Sequence, residues 1–216
     1  LAKIAARAML GESLTDIGLT SEPVGRHVAV KEVVFPFSRF PGNDTLLGPE
    51  MKSTGEVMGI DTSFGRAFWK AQVACGFTLP KEGSVFISVR EADKPLVLSS
   101  ARSLAELGFK LVCTQGTRDY LKERGVESTL VHKVNEGRPH VVDVIRSGEI
   151  HMVVNTTVGR QAILDSRSIR RSAFLHNIPY QTTIPGAWAV VQAIKASREN
   201  PKPHICSLQE LYASEA

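Results

Sequence analysis

Ser84-Val85-Phe86-Ile87-Ser88-Val89 is a short run in which apolar residues follow one another without alternation. A strand with one face in water alternates polar and apolar residues. A strand apolar on both sides is covered on both faces, as in the middle of a parallel sheet. The chain after it repeats one rhythm. A helix is expected over 94–107, stopping at Gly108, and a second strand over 109–113. A helix over 117–124 ends at Gly125, and a third strand covers 128–134. A short helix over 141–146 leads to a fourth strand over 151–154. Helix 163–176, a fifth strand over 180–184 and a long helix over 187–197 complete the series. Strands alternating with helices, joined by right-handed crossovers, predict an α/β fold. Its form is a doubly wound parallel five-stranded sheet with helices on both faces, a three-layer αβα sandwich.

Upstream the rhythm is different. Residues 1–10 are rich in Ala and Leu and read as a helix stopped by Gly11. A strand is expected over 28–35, broken by Pro36 and then by Pro41-Gly42. Residues 44–59 hold many Gly, Glu and Met and read as loop with short elements. Asp61-Thr62-Ser63 offers a cap for a helix over 64–75, where Phe64, Ala67, Phe68 and Ala71 recur at helical spacing. Gly76 ends that helix and 79–83 reads as linker. The break therefore falls near residue 77, between a first part, 1–76, with few strands of its own, and a second part, 77–216.

The chain has 216 residues, 43% of them hydrophobic and 22% charged, enough to bury a core without staples. The net charge is only +4 and aromatics are 6%, against a nucleic-acid surface. The densest basic stretch, 167–171, reads as a solvated helix face. A small anionic ligand fits the charge. Cys75, Cys113 and Cys206 are odd in number and lack metal-ligand spacing, which suits a reducing, cytoplasmic setting. No apolar run approaches the ~20 residues of a membrane helix. The chain opens on Leu1 without a signal-peptide pattern and reads as a piece of something longer.

Ligands of open parallel sheets bind beyond the carboxyl ends of the strands. The residues there are Glu91, Asp93 and Lys94 after the first strand, and Thr114-Gln115-Gly116-Thr117 after the second. Lys133 and Asn135-Glu136-Gly137-Arg138 follow the third, and Asn155-Thr156-Thr157-Val158-Gly159-Arg160 the fourth. Singly, each has a plain structural reading: a surface lysine, or a threonine capping its own helix. Together they have the character of an anion site. Hydroxyls and backbone N–H groups donate to phosphate oxygens, and lysines add point charge. Asn155 suits a sugar hydroxyl or a base edge. A carboxylate at Glu136 would repel phosphate unless it pairs with Arg138. Catalytic and metal residues are not expected. Cys113 reads as a buried inert thiol, His132 and His140 as structural, and Asp165 as a helix surface acid.

Residues 46–59, Leu-Leu-Gly-Pro-Glu-Met-Lys-Ser-Thr-Gly-Glu-Val-Met-Gly, are the most specific string in the chain. They resemble the end of the ATP-grasp module of the carbamoyl phosphate synthetase large subunit. Leu1-Ala2-Lys3-Ile4-Ala5-Ala6-Arg7 and Val30-Lys31-Glu32-Val33-Val34-Phe35-Pro36-Phe37 are similar to the same family. Ser88-Val89-Arg90-Glu91, Asn135-Glu136-Gly137-Arg138-Pro139-His140 and residues 165–173 resemble its final domain, which is methylglyoxal synthase-like in fold.

The resemblance implies a division into 1–76, the remnant of the carbamoyl phosphate-forming ATP-grasp domain, and 77–216, a methylglyoxal-synthase-like allosteric domain. It implies a parent ligase that makes carbamoyl phosphate from bicarbonate, glutamine-derived ammonia and ATP, for pyrimidine and arginine biosynthesis. That enzyme uses ATP with Mg or Mn, and potassium, and a glutaminase partner subunit. It further implies that UMP or IMP binds at Lys94, Thr114, Thr117, Lys133, Asn155, Thr156 and Thr157. Ornithine would bind at the junction of the two parts through Glu32, Tyr180 and Thr182. This piece holds none of the catalytic residues or cofactor ligands and is expected to be inactive alone. Gln161 departs from the family, which often has a second arginine after Arg160. Related domains pair, so self-association is expected to be possible. The alternative is a stand-alone lyase acting on a small phosphate ester. That chemistry needs a carboxylate base at the phosphate, and no Gly-Gly-Asp follows a strand here.

Overall fold

The structure, a computed structural model, describes residues 2–22, 24–34 and 55–213. The first part holds helix α1 (Ala2–Met9), strands β1 (Val28–Val34) and β2 (Gly55–Asp61), and helix α2 (Phe64–Ala74). The second holds β3 (Ser84–Ser88), a 3-10 turn (Glu91–Asp93), α3 (Lys94–Glu106), β4 (Lys110–Cys113) and α4 (Gln115–Lys122). It continues with β5 (Thr129–Leu130), α5 (Val141–Arg146), β6 (Met152–Asn155), α6 (Arg160–Asp165), α7 (Arg167–Leu175), β7 (Tyr180–Gln181), α8 (Ile184–Glu199) and α9 (Leu208–Ala213).

The second part is the expected α/β layer fold. Its five strands run parallel in the order β5-β4-β3-β6-β7. Val85, Phe86 and Ile87 of β3 are fully buried, and they divide between two cores. Val85 and Ile87 pack with Val97, Ala101 and Leu104 of α3 and Val190, Val191 and Ile194 of α8. Phe86 packs with Val141 and Ile145 of α5 and Ile169 and Ala173 of α7. Successive side chains of a strand point to opposite faces, so an apolar run without alternation needs a core on each side.

Several bounds differ from expectation. The fifth strand shrinks to two residues because Thr183 caps α8, its Oγ1 accepting the Gly186 N–H at 3.1 Å. With Pro185 in the first turn, the chain is helical before Ala187. The helix expected over 163–176 is two, α6 and α7, parted at Ser166, whose ψ of −5° opens the coil. The third strand keeps only Thr129–Leu130, and His132 then bridges His140. Gln115 opens α4 with Thr114 at its cap position, so Thr117 lies inside the first turn. Helix α9 had no counterpart in the sequence reading.

In the first part, β1 and β2 pair antiparallel from Val28↔Asp61 to Val34↔Gly55, where loop was expected for 55–59. Within the distinctive string 46–59, residues 46–54 lie outside the described residues, as do Phe35, Pro36, Phe37 and Pro41-Gly42. Helix α2 packs on both β2 and α8, and Trp69 joins the core that holds α3, α8 and one face of the sheet.

Candidate functional site

The sheet order reverses at β3. From β3 the chain winds outward to β4 and β5, then returns to β6 on the other side. The loops after β3 and β6 part in opposite directions there and leave a crevice. A cavity of about 430 Å³ opens at this point. Thr114, Lys133, Asn155, Thr156 and Thr157 line it. Lys94 and Thr117 do not. They sit beside it at the start of α4, where Lys94 Nζ lies 3.2 Å from the position a Cβ on Gly116 would take.

The threonine hydroxyls stitch the three loops together. Thr114 donates to Ser88 Oγ at 3.1 Å. Thr117 Oγ1 accepts the Val89 N–H at 3.3 Å and Thr156 Oγ1 the Arg90 N–H at 3.2 Å. Thr156 also helps to hold the Asp93 carboxyl down. Thr156 thus braces the loop after β3. Arg90, whose Nε is 2.8 Å from Asp93 Oδ2, and then Thr156 hold Asp93 below the usual carboxylate range despite its burial. Asn155, 4% exposed, donates from Nδ2 to the Tyr180 hydroxyl at 2.9 Å.

Both lysines have acidic partners. Lys94 Nζ is 2.6 Å from Glu91 Oε2, and Lys133 Nζ is 3.4 Å from Glu136 Oε1. Glu136 therefore pairs with Lys133 and not with Arg138, the partner that would have kept it from repelling phosphate; Arg138 Nη1 lies 3.8 Å from Asp143 Oδ1. The Lys133 N–H holds the Glu136 carboxyl down, against partial burial.

Asn135, Glu136 and Val158, also strand-end residues by sequence, line the cavity too, while other lining residues escaped the sequence reading. Ser88 and Arg90 belong to the same rim, and counting from the last strand residue would have found them. Val134, Val141, Val158 and Ile169 add apolar surface to the lining. Two of them come from helices whose inward faces carry no ligand signal in sequence. The lining thus joins donors and charge with apolar surface. That suits a ligand with an anionic end and a flat apolar body.

The residues expected for ornithine have separate neighbours. Glu32 on β1 accepts from Gln72 Nε2 at 2.6 and 2.7 Å. Burial pushes its carboxyl up, and Gln72 partly offsets this. Tyr180 faces Asn155, and Thr182 is exposed between β7 and α8. Burial pushes the Cys113 thiol up to about 11, which leaves it protonated and inert at neutral pH. His140 caps α5: its Nδ1 accepts the Asp143 backbone N–H at 3.4 Å, while the His140 backbone N–H donates to Asp143 Oδ2 at 3.0 Å. Among the described residues, no three His, Cys, Asp or Glu side chains cluster as a metal ion needs. Among them too, no helix is long and apolar enough to cross a membrane.

Residues 96–182 match the family model of the MGS-like domain. The carbamoyl phosphate synthase large chain of Myxococcus xanthus is 54% identical over 91% of this chain and 18% of its own length. That of Xanthomonas campestris is 51% identical over 98% of this chain and 19% of its own. The chain thus spans about a fifth of the length of these relatives. Among solved structures, the crystal structure of ForH superposes with a TM-score of 0.42 at 15% identity, over 62% of this chain and 88% of that one, too distant to bear on function. High identity along nearly the whole chain, with the parallel sheet it predicts, places this chain as a segment in the carbamoyl phosphate synthase large chain family, carrying that family's MGS-like domain.

Proposed function

We propose that this chain is the regulatory portion of a glutamine-hydrolysing carbamoyl phosphate synthase, and that the rim cavity binds a nucleoside monophosphate, UMP or IMP. The observation that carries this is the cavity at the reversal of strand order, where Thr114, Lys133, Asn155, Thr156 and Thr157 share one lining with Val134, Val141 and Ile169. Lys94 and Thr117, beside Gly116, extend the anion-binding end. The division at 76/77, the ornithine contacts of Glu32, Tyr180 and Thr182, self-association and a cytoplasmic setting belong to the same proposal. ATP, its Mg or Mn, potassium and the glutaminase partner belong to the longer synthase, and no residue here is assigned to them. This segment by itself would transfer no phosphoryl group.

Binding regulates only if the ligand prefers one of two states of the synthase. A coupling of ~1–3 kcal/mol shifts apparent substrate affinity about 5–150-fold, with the reciprocal effect on the nucleotide. Calorimetric titration of the chain with UMP, IMP and ornithine tests the ligand. Lys133→Ala and Thr117→Val are expected to weaken UMP at least tenfold. Unchanged affinity in both variants defeats the assignment.

A further inference from the structure

Each lysine of the anion site already holds an anion of the chain's own. Glu91 lies three residues before Lys94, and Glu136 three residues after Lys133. In both cases one strand-end loop supplies the cation and the carboxylate. The seating is uneven. The Lys94 side chain is 13% exposed while that of Glu91 is 84% exposed, so a fixed ammonium is met by a carboxylate that reaches in from water. Glu136 is held twice. One oxygen lies near Lys133 Nζ and the other accepts the Lys133 N–H at 3.1 Å.

Resting on the nucleotide reading above, we propose that Glu91 and Glu136 are tethered counter-anions, which occupy the lysines of the empty site and are displaced when a phosphate monoester binds. A tethered carboxylate acts at high effective concentration. The apparent affinity of the ligand falls by the fraction of sites whose lysines are free. A carboxylate ligand would exchange one carboxylate for another and gain little. A phosphate carries nearly twice the charge and a third acceptor oxygen, so it displaces the tether with a net gain. The pairs therefore select phosphate esters over carboxylates of similar size.

Titration of the full 216-residue chain at low salt with UMP, inorganic phosphate and uridine tests this. Glu91→Gln and Glu136→Gln are the variants. Glu106→Gln, in a separate groove beside Arg102 and Lys110, makes the same change in net charge and is the control. Pairs this exposed contribute ~0.2–1 kcal/mol. Each variant is thus expected to bind UMP and phosphate about one-and-a-half- to fivefold more tightly, with uridine and the control unmoved. Wild-type binding of UMP with no gain in either variant overturns the proposal and leaves the site standing. An equal gain in Glu106→Gln, or with uridine, overturns it as a general effect of charge. Absence of UMP binding in wild type and variants alike removes the site itself, and this proposal with it.

Discussion

Asp61 closes β2 and holds the start of α2. Its carboxylate is 3.0 Å from Arg66 Nε and 2.8 Å from Lys70 Nζ, and accepts the Thr62 N–H at 2.8 Å. Burial pushes the carboxyl up, but Lys70, the Thr62 N–H and Arg66 outweigh it and hold the group at about 2, from 3.8. A depressed carboxyl stabilises the fold above its unfolded value. As pH falls below 3.8 the unfolded chain takes up a proton that the folded chain refuses until about 2. Stability is therefore expected to drop by about 2 kcal/mol across that window through this group alone. Urea melts between pH 5 and 2 should show the drop, and Asp61→Asn should be less stable at pH 7 and flatter on acidification. A wild-type slope unchanged in Asp61→Asn refutes it. At the rim, Tyr180→Phe removes the acceptor of the Asn155 amide and is expected to cost about 1 kcal/mol, with weaker UMP binding by calorimetry. Asn155 and Thr114 were legible because topology alone puts strand ends at the ligand. The partner of Glu136 was not. Lys133 and Arg138 both lie within three residues of it, and only the turn, with the Glu136 N–H donating to Lys133 O at 3.0 Å, selects Lys133.

β2 shows why an element can stay hidden. Gly55-Glu56-Val57-Met58-Gly59-Ile60-Asp61 is poor in the branched and aromatic residues that favour strands. Its pairing with β1 supplies what its own composition lacks. Gly59, which argued for loop, is there for packing. A Cβ on it would lie 2.0 Å from Ala67 O and 2.7 Å from Ala71 N, both backbone atoms of α2. Helix and strand touch main chain to main chain, which glycine alone permits. Gly59→Ala is expected to cost about 3 kcal/mol, because the helix must move as a body. A lowered urea midpoint with unchanged m-value checks this, and a shift under 1 kcal/mol contradicts it. The central strands were readable for the opposite reason. β3 and β6 are apolar from Val85 to Ile87 and from Met152 to Val154 because both faces are covered, and no neighbour had to be known to see it. Ser166 defeats the pattern again: apolar periodicity continues across the break, so sequence reports one helix where the backbone makes two.

At the scale of the molecule, α2 decides whether two parts behave as two. Gly65 lets α2 sit close on α8, since a Cβ there would lie 2.7 Å from Gln192 O. Trp69 enters the core shared by α3, α8 and the sheet. Trp69→Ala is expected to cost about 3–5 kcal/mol, a core loss felt on the far side of the 76/77 division. The same packing bears on a chain cut to 77–216. Removing α2 uncovers the face of α8 around Trp188, Gln192 and Ala196, and a fresh apolar patch drives association of its own. Light scattering of that fragment would then report a wound, not a native dimer, so self-association has to be measured on the full chain. We expect the full chain to unfold in one transition, with tryptophan fluorescence from Trp69 and Trp188 coinciding with far-UV circular dichroism. The fragment should melt at lower urea, by about 3 kcal/mol or more. A fragment as stable and as monomeric as the full chain would make 76/77 a true domain edge, and α2 a helix that the second part does without.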